Sequence, residues 1–195
     1  MKIGILAVQG DYEAHAKVLE QLGAECVLVR ALADMDGIEA LVLPGGESTT
    51  QLKFLSEEGL EKAIHDLAAR GGAFFGTCAG AILLAKEVRN PPQRSLGLAD
   101  LVVTRNAYGR QLASEVREGA TKLKGEPLEM VFIRAPVIDR TGAGVEILAE
   151  SQGKPVLVRQ GRVLVATFHP ELTSDLTVHK YFLKMAAEKS AGNGR

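Results

Sequence analysis

The strongest constraint on the fold is an alternation of short apolar runs with amphipathic segments in the first half of the sequence. Each apolar run is bounded by turn or polar residues, which predicts buried strands at 2–8, 25–30, 39–44 and 73–77. Helical spacing of apolar residues predicts helices at 11–24, 60–72 and from 79 onwards. Alternating strands and helices favour an α/β fold, with a mainly parallel central sheet and helices on both faces.

The second half is richer in strand-like runs. Strands are predicted at 101–106, 129–135 and 145–151, and residues 155–170 are typical of a hairpin that turns at Gln160-Gly161. A closing helix is predicted at 174–190, with Ser174 as its N-cap. Because no linker or repeat interrupts the pattern, we expect one domain over 1–190 and a frayed tail at 191–195.

Composition excludes several classes of protein. The chain has 195 residues with a formal net charge of −1, which does not favour binding to nucleic acid. Its two cysteines form no CxxC motif and no Cys/His cluster, so neither a disulfide scaffold nor a bound metal is expected. Neither a signal peptide nor an apolar run long enough to span a membrane is evident. We expect a soluble cytoplasmic protein with no cofactor.

The segment Gly76-Thr77-Cys78-Ala79-Gly80 stands between a predicted strand and a predicted helix. A sharp strand-to-helix turn exposes its central side chain, and small residues two positions away on each side prevent clashes. The first N–H groups of the helix favour a thiolate at Cys78. The alternative is a small buried cysteine packed between glycines. Cys26, which lies inside a predicted strand, is expected to be a core residue.

A base for this cysteine is predicted at another strand end. His169 follows an apolar strand in the segment Thr167–Leu172, and Glu171 lies on the same side of an extended backbone. A carboxylate beside an imidazole fixes its tautomer and stabilises the imidazolium. Cys78, His169 and Glu171 are therefore the predicted nucleophile, base and orienting residue. The remaining histidines are predicted to be surface or packing residues: His15, His65 and His179.

A third strand end supplies candidate oxyanion donors. In the segment Leu41–Thr50, Gly45 and Gly46 follow Pro44 and leave the backbone free to direct N–H groups at a developing negative charge. The N–H of Ala79, directly after Cys78, is the other expected donor. An ordinary β-turn is the alternative for the two glycines.

These three pieces, GTCAG, LPGGES and FHPE, resemble the class I (triad) glutamine amidotransferases, whose fold is flavodoxin-like. More narrowly, the chain is similar to the family of glutaminase subunits of the two-component pyridoxal 5'-phosphate synthase. The similarity rests on six segments that span nearly the whole chain: AVQGDYEAH (7–15), PGGESTT (44–50), GTCAGAILLA (76–85), RNAYGRQ (105–111), FIRAP (132–136) and TFHPEL (167–172).

The resemblance implies hydrolysis of L-glutamine to glutamate and ammonia through a thioester on Cys78. It implies that the ammonia passes to a barrel-shaped synthase subunit, with the Gln9-Gly10-Asp11 loop and the first helix facing that partner. It also implies a set of residues that bind glutamine: Gly46, Glu47, Ser48, Arg105, Ile133 and Arg134.

Two other classes of function remain open. A hydrolase or chaperone of the related cysteine-elbow type would often carry histidine directly after the nucleophile, whereas this chain has Ala79 there. A regulatory binding module that kept the fold would lack activity, and an intact Cys-His-Glu set argues against it.

Overall fold

The computed structural model describes residues 1–105 and 114–188. Most of the segment 105–111, the expected end of the last helix at 189–190 and the expected tail at 191–195 lie outside the described residues. None of the described helices has the length and hydropathy that crossing a membrane requires.

A seven-stranded sheet forms the centre of the described structure. In chain order its strands are β1 (Lys2–Leu6), β2 (Glu25–Val29), β3 (Ala40–Leu43), β4 (Ala73–Thr77), β10 (Glu146–Ser151), β11 (Lys154–Gln160) and β12 (Val163–Ala166). Their spatial order is β10-β11-β12-β4-β3-β1-β2. The pairings of β12, β4, β3, β1 and β2 are parallel, and β11 alone runs against its neighbours. The prediction of a mainly parallel sheet is confirmed.

Helices cover both faces of this sheet. In chain order they are α1 (Tyr12–Gln21), α2 (Ser48–Glu57), α3 (Leu60–Ala69), α4 (Ala79–Leu84) and α5 (Thr177–Ala187). Neighbouring strand residues alternate between two cores: Phe75 packs with Leu19 of α1 and Phe182 of α5, whereas Phe74 packs with residues of α2, α3 and α4. Burial on both faces explains why the strands read as continuous apolar runs.

Two smaller sheets flank the central one. The first contains β5 (Ala85–Arg89), β6 (Ala99–Thr104) and β9 (Val137–Thr141), and the second pairs β7 (Glu115–Gly119) with β8 (Leu128–Phe132). The sequence predicted β6 and β8 but not β5, β7 or β9. The missed strands are short and mostly polar, with exposed or half-buried positions, so hydrophobic periodicity does not reveal them.

Three local features of the structure differ from the sequence predictions. Helix α2 was not predicted, because Ser48 and Gln51 contribute polar side chains to its buried face and weaken the apolar pattern. Helix α5 begins at Thr177 rather than 174, and the Asp175 carboxylate accepts the Thr177 N–H in place of a Ser174 cap. The predicted hairpin is β11–β12, and Gln160 pairs with Val163, so its loop is 161–162.

Candidate active site

Cys78 occupies the sharp turn between β4 and α4. Its backbone has φ 48° and ψ −100°, a conformation that L residues rarely adopt and that functional sites often retain. The glycines on either side allow close approach of the backbone. A Cβ on Gly76 would lie 2.6 Å from the carbonyl oxygen of Gly80, and one on Gly80 would lie 1.9 Å from that of Leu43. The glycine spacing seen in the sequence is therefore a steric requirement of this turn.

His169 and Glu171 follow β12, whose parallel neighbour is β4. Both side chains are buried, and His169 Nδ1 lies 2.8 Å from Glu171 Oε1. The backbone N–H of His169 donates to the carbonyl of Val131 at 2.8 Å, which anchors the segment to β8. Because β4 and β12 are adjacent and parallel, their carboxyl ends bring Cys78 and His169 together.

The electrostatics of this group favour a protonated imidazole at His169. Burial opposes the charge on His169, but hydrogen bonds to Cys78 and Glu171 outweigh it and raise the pKa of His169 to about 10. Burial also opposes ionisation of Glu171, yet the adjacent His15 and His169 hold the pKa of this carboxyl well below its usual range. The imidazole is thus suited to take a proton from the thiol.

The glycines after β3 have different positions. Gly45 is buried, and its N–H donates to Thr77 Oγ1 at 3.1 Å, so this N–H does not serve as an oxyanion donor in the observed arrangement. Gly46 is exposed, lines the cavity and has φ +145°. The expectation for Gly45 as a donor is therefore corrected, whereas Gly46 and Ala79 both border the cavity.

A cavity of about 190 Å³ lies in front of Cys78 and His169. This is smaller than the roughly 300–1,000 Å³ typical of sites for drug-sized ligands, so it suits a small metabolite. All of the residues that the resemblance assigns to glutamine binding line it: Gly46, Glu47, Ser48, Arg105, Ile133 and Arg134.

Charged groups of opposite sign lie side by side at this cavity. Arg105 Nη2 is 3.3 Å from Glu47 Oε1 and 3.2 Å from Thr49 Oγ1. Glu47 also caps α2, accepting the Thr50 N–H at 2.8 Å. Burial opposes its charge, but hydrogen bonds from Thr50 and Thr49 lower the pKa of Glu47. An ionised carboxylate and a guanidinium are therefore both available to a ligand.

Several residues that sequence reasoning did not assign to the site contact it. His15 and His179 were predicted to be surface or packing residues, and both are fully buried, which fits packing. His15 Nε2 also lies 3.4 Å from Glu171 Oε2. His65 is exposed, as that prediction allowed. Asp11 lines the cavity with Oδ2 3.4 Å from His169 Nδ1. Only the polar character of the segment 7–15 hinted at these contacts.

Three potential metal ligands lie close together, since ligand atoms of Asp11, His169 and Glu171 are within 4.8 Å of one another. His169 Nδ1 and Glu171 Oε1 already form a hydrogen bond at 2.8 Å, which a cation would have to replace. The arrangement suits tautomer control of His169 better than metal coordination.

The fold and this site are those of a cysteine-dependent amidotransferase domain, and comparison with known proteins supports the same class. The model of the SNO glutamine amidotransferase family matches residues 5–188, so the chain belongs to that family. It is 54% identical over 192 residues to pyridoxal 5'-phosphate synthase subunit PdxT of Koribacter versatilis, covering 98% of this chain and 99% of that one. It is 50% identical over 186 residues to the PdxT subunit of Thermus thermophilus, covering 94% and 97% of the two chains.

Solved structures show the same similarity. A crystal structure of a glutamine amidotransferase superposes with a TM-score of 0.89 at 47% identity, covering 94% of this chain and 98% of that one. PurLQS from Thermotoga maritima superposes with a TM-score of 0.68 at 16% identity, covering 94% and 97% of the two chains. At that identity the second comparison shows a shared fold only.

Proposed function

We propose that this chain is the glutaminase subunit of a pyridoxal 5'-phosphate synthase. It hydrolyses L-glutamine to glutamate and ammonia, and a separate synthase subunit uses the ammonia. One observation carries the proposal: Cys78 and His169 line a small cavity together with the Arg105–Glu47 ion pair, and the buried Glu171 carboxylate lies 2.8 Å from His169 Nδ1. The proposal is supported by relatives that are named as subunits of pyridoxal 5'-phosphate synthase and by the match to a glutamine amidotransferase family.

The cavity matches the chemistry of a free amino acid. Glutamine carries an α-carboxylate and an α-ammonium group, and the guanidinium of Arg105 beside the carboxylate of Glu47 offers one partner of each sign. Arg134 adds a second cation at the rim. These groups hold the head of the substrate, so that its side-chain amide extends towards Cys78.

Acylation begins when the Cys78 thiolate attacks the side-chain carbonyl carbon of glutamine. His169, which has taken the thiol proton, donates that proton to the departing nitrogen, and ammonia leaves as the C–N bond breaks. The negative charge on the carbonyl oxygen is stabilised by the N–H groups of Gly46 and Ala79, two of the three expected donors, since the N–H of Gly45 is bonded to Thr77. The product is a γ-glutamyl thioester.

Deacylation uses the same groups in reverse roles. His169 accepts a proton from a water molecule, and the resulting hydroxide adds to the thioester carbonyl. The C–S bond then breaks, glutamate leaves, and the thiol is restored. Glu171 stays ionised throughout and stabilises the imidazolium through the 2.8 Å contact with Nδ1.

The Gln9-Gly10-Asp11 loop supports a partner-dependent site. Gln9 Oε1 accepts the Glu47 N–H at 3.3 Å, and a Cβ on Gly10 would lie 1.7 Å from the carbonyl oxygen of Gly45. The loop therefore rests directly on the glycines of the oxyanion region. A synthase subunit that binds this loop and α1 would act on the catalytic backbone without entering the cavity.

The proposal is tested by measuring glutamate and ammonia released from L-glutamine by the purified chain, alone and with a saturating synthase subunit of the same system. With a synthase that is given no substrate to aminate, we expect equal amounts of both products, and we expect none from the Cys78→Ala variant under the same conditions. A cysteine hydrolase of another specificity would release no glutamate, and a regulatory module would leave glutamine intact.

A further inference from the structure

A buried cluster of polar side chains lies behind the catalytic residues, outside the cavity. His15 of α1 is at its centre and is fully buried. Its Nδ1 lies 3.0 Å from His179 Nε2 of α5, and its Nε2 lies 3.1 Å from Thr77 Oγ1 and 3.4 Å from Glu171 Oε2. The edge of this group packs against the ring of Phe75, whose centroid lies 5.7 Å from those of both imidazoles. Three polar side chains, those of Thr77, Glu171 and His179, therefore surround the His15 ring in the core.

The proton positions in the cluster follow from the partners. An ionised carboxylate only accepts hydrogen bonds, so Nε2 of His15 carries the proton that faces Glu171 and Thr77. Nδ1 of His15 and Nε2 of His179 share one hydrogen bond at 3.0 Å, which holds the two rings in a fixed relation to each other. Burial, together with the neighbouring His15, lowers the pKa of His179 to about 3, which keeps His179 neutral.

Thr77 connects the cluster to the oxyanion region. It is the last residue of β4 and directly precedes Cys78. Its Oγ1 accepts the Gly45 N–H at 3.1 Å and also faces His15 Nε2. The other end of the same peptide is held as well, because Gln51 Nε2 donates to the carbonyl of Pro44 at 3.2 Å. One imidazole nitrogen of His15 thus faces both the carboxylate behind His169 and the hydroxyl that holds Gly45.

We propose that His15 is a positioning residue for the glutaminase reaction, which orients the Glu171 carboxylate towards His169 and the Thr77 hydroxyl towards Gly45, while His179 holds the ring of His15 in place. This inference rests on the proposed function for its reaction. His15 touches no reacting atom and acts through Glu171 and Thr77. Its functional atom is Nε2, and its Nδ1 only holds the ring in place.

The proposal separates the two ring nitrogens, and a matched pair of variants tests that separation. His15→Gln places an amide donor near the position of Nε2 and loses the partner of His179. His15→Asn places its amide near the position of Nδ1 and loses the contact with Glu171 and Thr77. Both variants remove one imidazole from the same buried place. His65→Gln, at an exposed histidine of α3, serves as the control and should keep the wild-type kcat.

We expect His15→Gln to retain most of the wild-type kcat with the synthase bound. His15→Asn should lower kcat by at least about tenfold relative to His15→Gln, with KM changed less than about twofold, because misplacing a catalytic group affects the transition state more than substrate binding. Thermal unfolding of the two variants checks that stability does not explain the difference. Equal kcat in two folded variants would overturn the proposal.

A second readout does not depend on glutamine. The rate at which iodoacetamide alkylates Cys78, followed by peptide mass, reports the thiolate that His169 and Glu171 maintain. This rate should be lower in His15→Asn than in His15→Gln, and equal rates would contradict the role of His15. If the wild-type chain released no glutamate with the synthase, the proposed function would fail, and the alkylation rates would still decide the role of His15.

A pair of variants at Thr77 covers the case in which the His15 variants do not fold. Thr77→Ser keeps the hydroxyl, and Thr77→Val keeps the shape but removes it. The proposal expects Thr77→Val to lose at least about tenfold in kcat relative to Thr77→Ser, since a displaced donor in the oxyanion region costs about 10²- to 10³-fold at most. Equal activity of the two folded variants would overturn it.

Discussion

Gly45 packs directly against the ring of His169: a Cβ on Gly45 would lie 2.3 Å from Cε1 and 3.0 Å from Nδ1 of that imidazole. The glycine thus sets the position of the catalytic base as well as the path of the oxyanion backbone. Its φ is not in the left-handed region, so the requirement for glycine at this position is one of space.

We predict that Gly45→Ala displaces His169 and lowers kcat by about 10²-fold, the loss that a shift of roughly 1 Å at a catalytic group produces. Gly125→Ala is the matched control, because a Cβ there meets nothing within 4 Å. Steady-state glutamate production with the synthase gives the kcat of both variants. Wild-type activity in Gly45→Ala would show that His169 tolerates displacement.

We predict that Cys78 is the only nucleophile. A glutamine-like diazo-ketone should add one mass label at Cys78, and Cys78→Ala should abolish both the label and hydrolysis. Burial, reinforced by Glu20, raises the pKa of Cys26 to about 11, so this thiol stays protonated. Cys26→Ala should therefore keep both label and activity, and a label found on Cys26 would rule out the assignment.

We predict that substitutions at His169 and Glu171 lower the acylation rate to different extents. His169→Asn removes the base and should lower acylation by several orders of magnitude, since members of such triads act as a unit. Glu171→Gln keeps the shape of the side chain and one hydrogen bond to Nδ1, so the acylation rate of this variant should fall less. Single-turnover acylation rates compare the two variants. A folded Glu171→Gln variant as inactive as Cys78→Ala would assign Glu171 a role beyond orientation.

Acid should destabilise the fold through His179. Its pKa is about 3 in the folded chain and about 6.5 when unfolded, so between these values the unfolded chain binds the extra proton. The free energy of unfolding therefore falls as the pH falls below about 6.5, by up to about 1.4 kcal/mol per pH unit.

Urea unfolding at several pH values between about 6.5 and 5.5 measures this slope above the pKa values of most carboxylates in the unfolded chain. His179→Gln should reduce the slope, whereas His65→Gln, at an exposed position, should keep it. An unchanged slope in His179→Gln would mean that other groups cause the acid sensitivity.

We predict that the isolated chain is nearly inactive and that the synthase raises kcat by at least about tenfold, which corresponds to about 1.4 kcal/mol in the barrier. The Pro44–Gly45 peptide is held at both ends by Thr77 and Gln51, so the peptide free to reorient is Gly45–Gly46. Its carbonyl lies against Gly10 of the loop that we expect the partner to bind. Glutamate production at saturating glutamine, with and without synthase, tests this activation. An equal kcat in the two conditions would show a preformed site.

The sequence by itself determined the fold class and the positions of the catalytic candidates. Apolar runs and glycine spacing are local signals, so they predicted the parallel sheet, the turn at Cys78 and the strand end at His169. Helix α2 and the short strands β5, β7 and β9 were not predicted because their polar residues weaken the apolar periodicity on which the predictions rest.

Only the tertiary structure decided which polar groups lie behind the site. His15 and His179 are 164 residues apart, and neither has a sequence pattern that distinguishes it from a packing residue. Their contact exists because α1 and α5 cover the same face of the sheet. The same holds for Gly45, whose N–H meets Thr77 only because β3 and β4 are neighbours. Hydrogen bonds between distant segments depend on which elements become adjacent, and local sequence does not encode that adjacency.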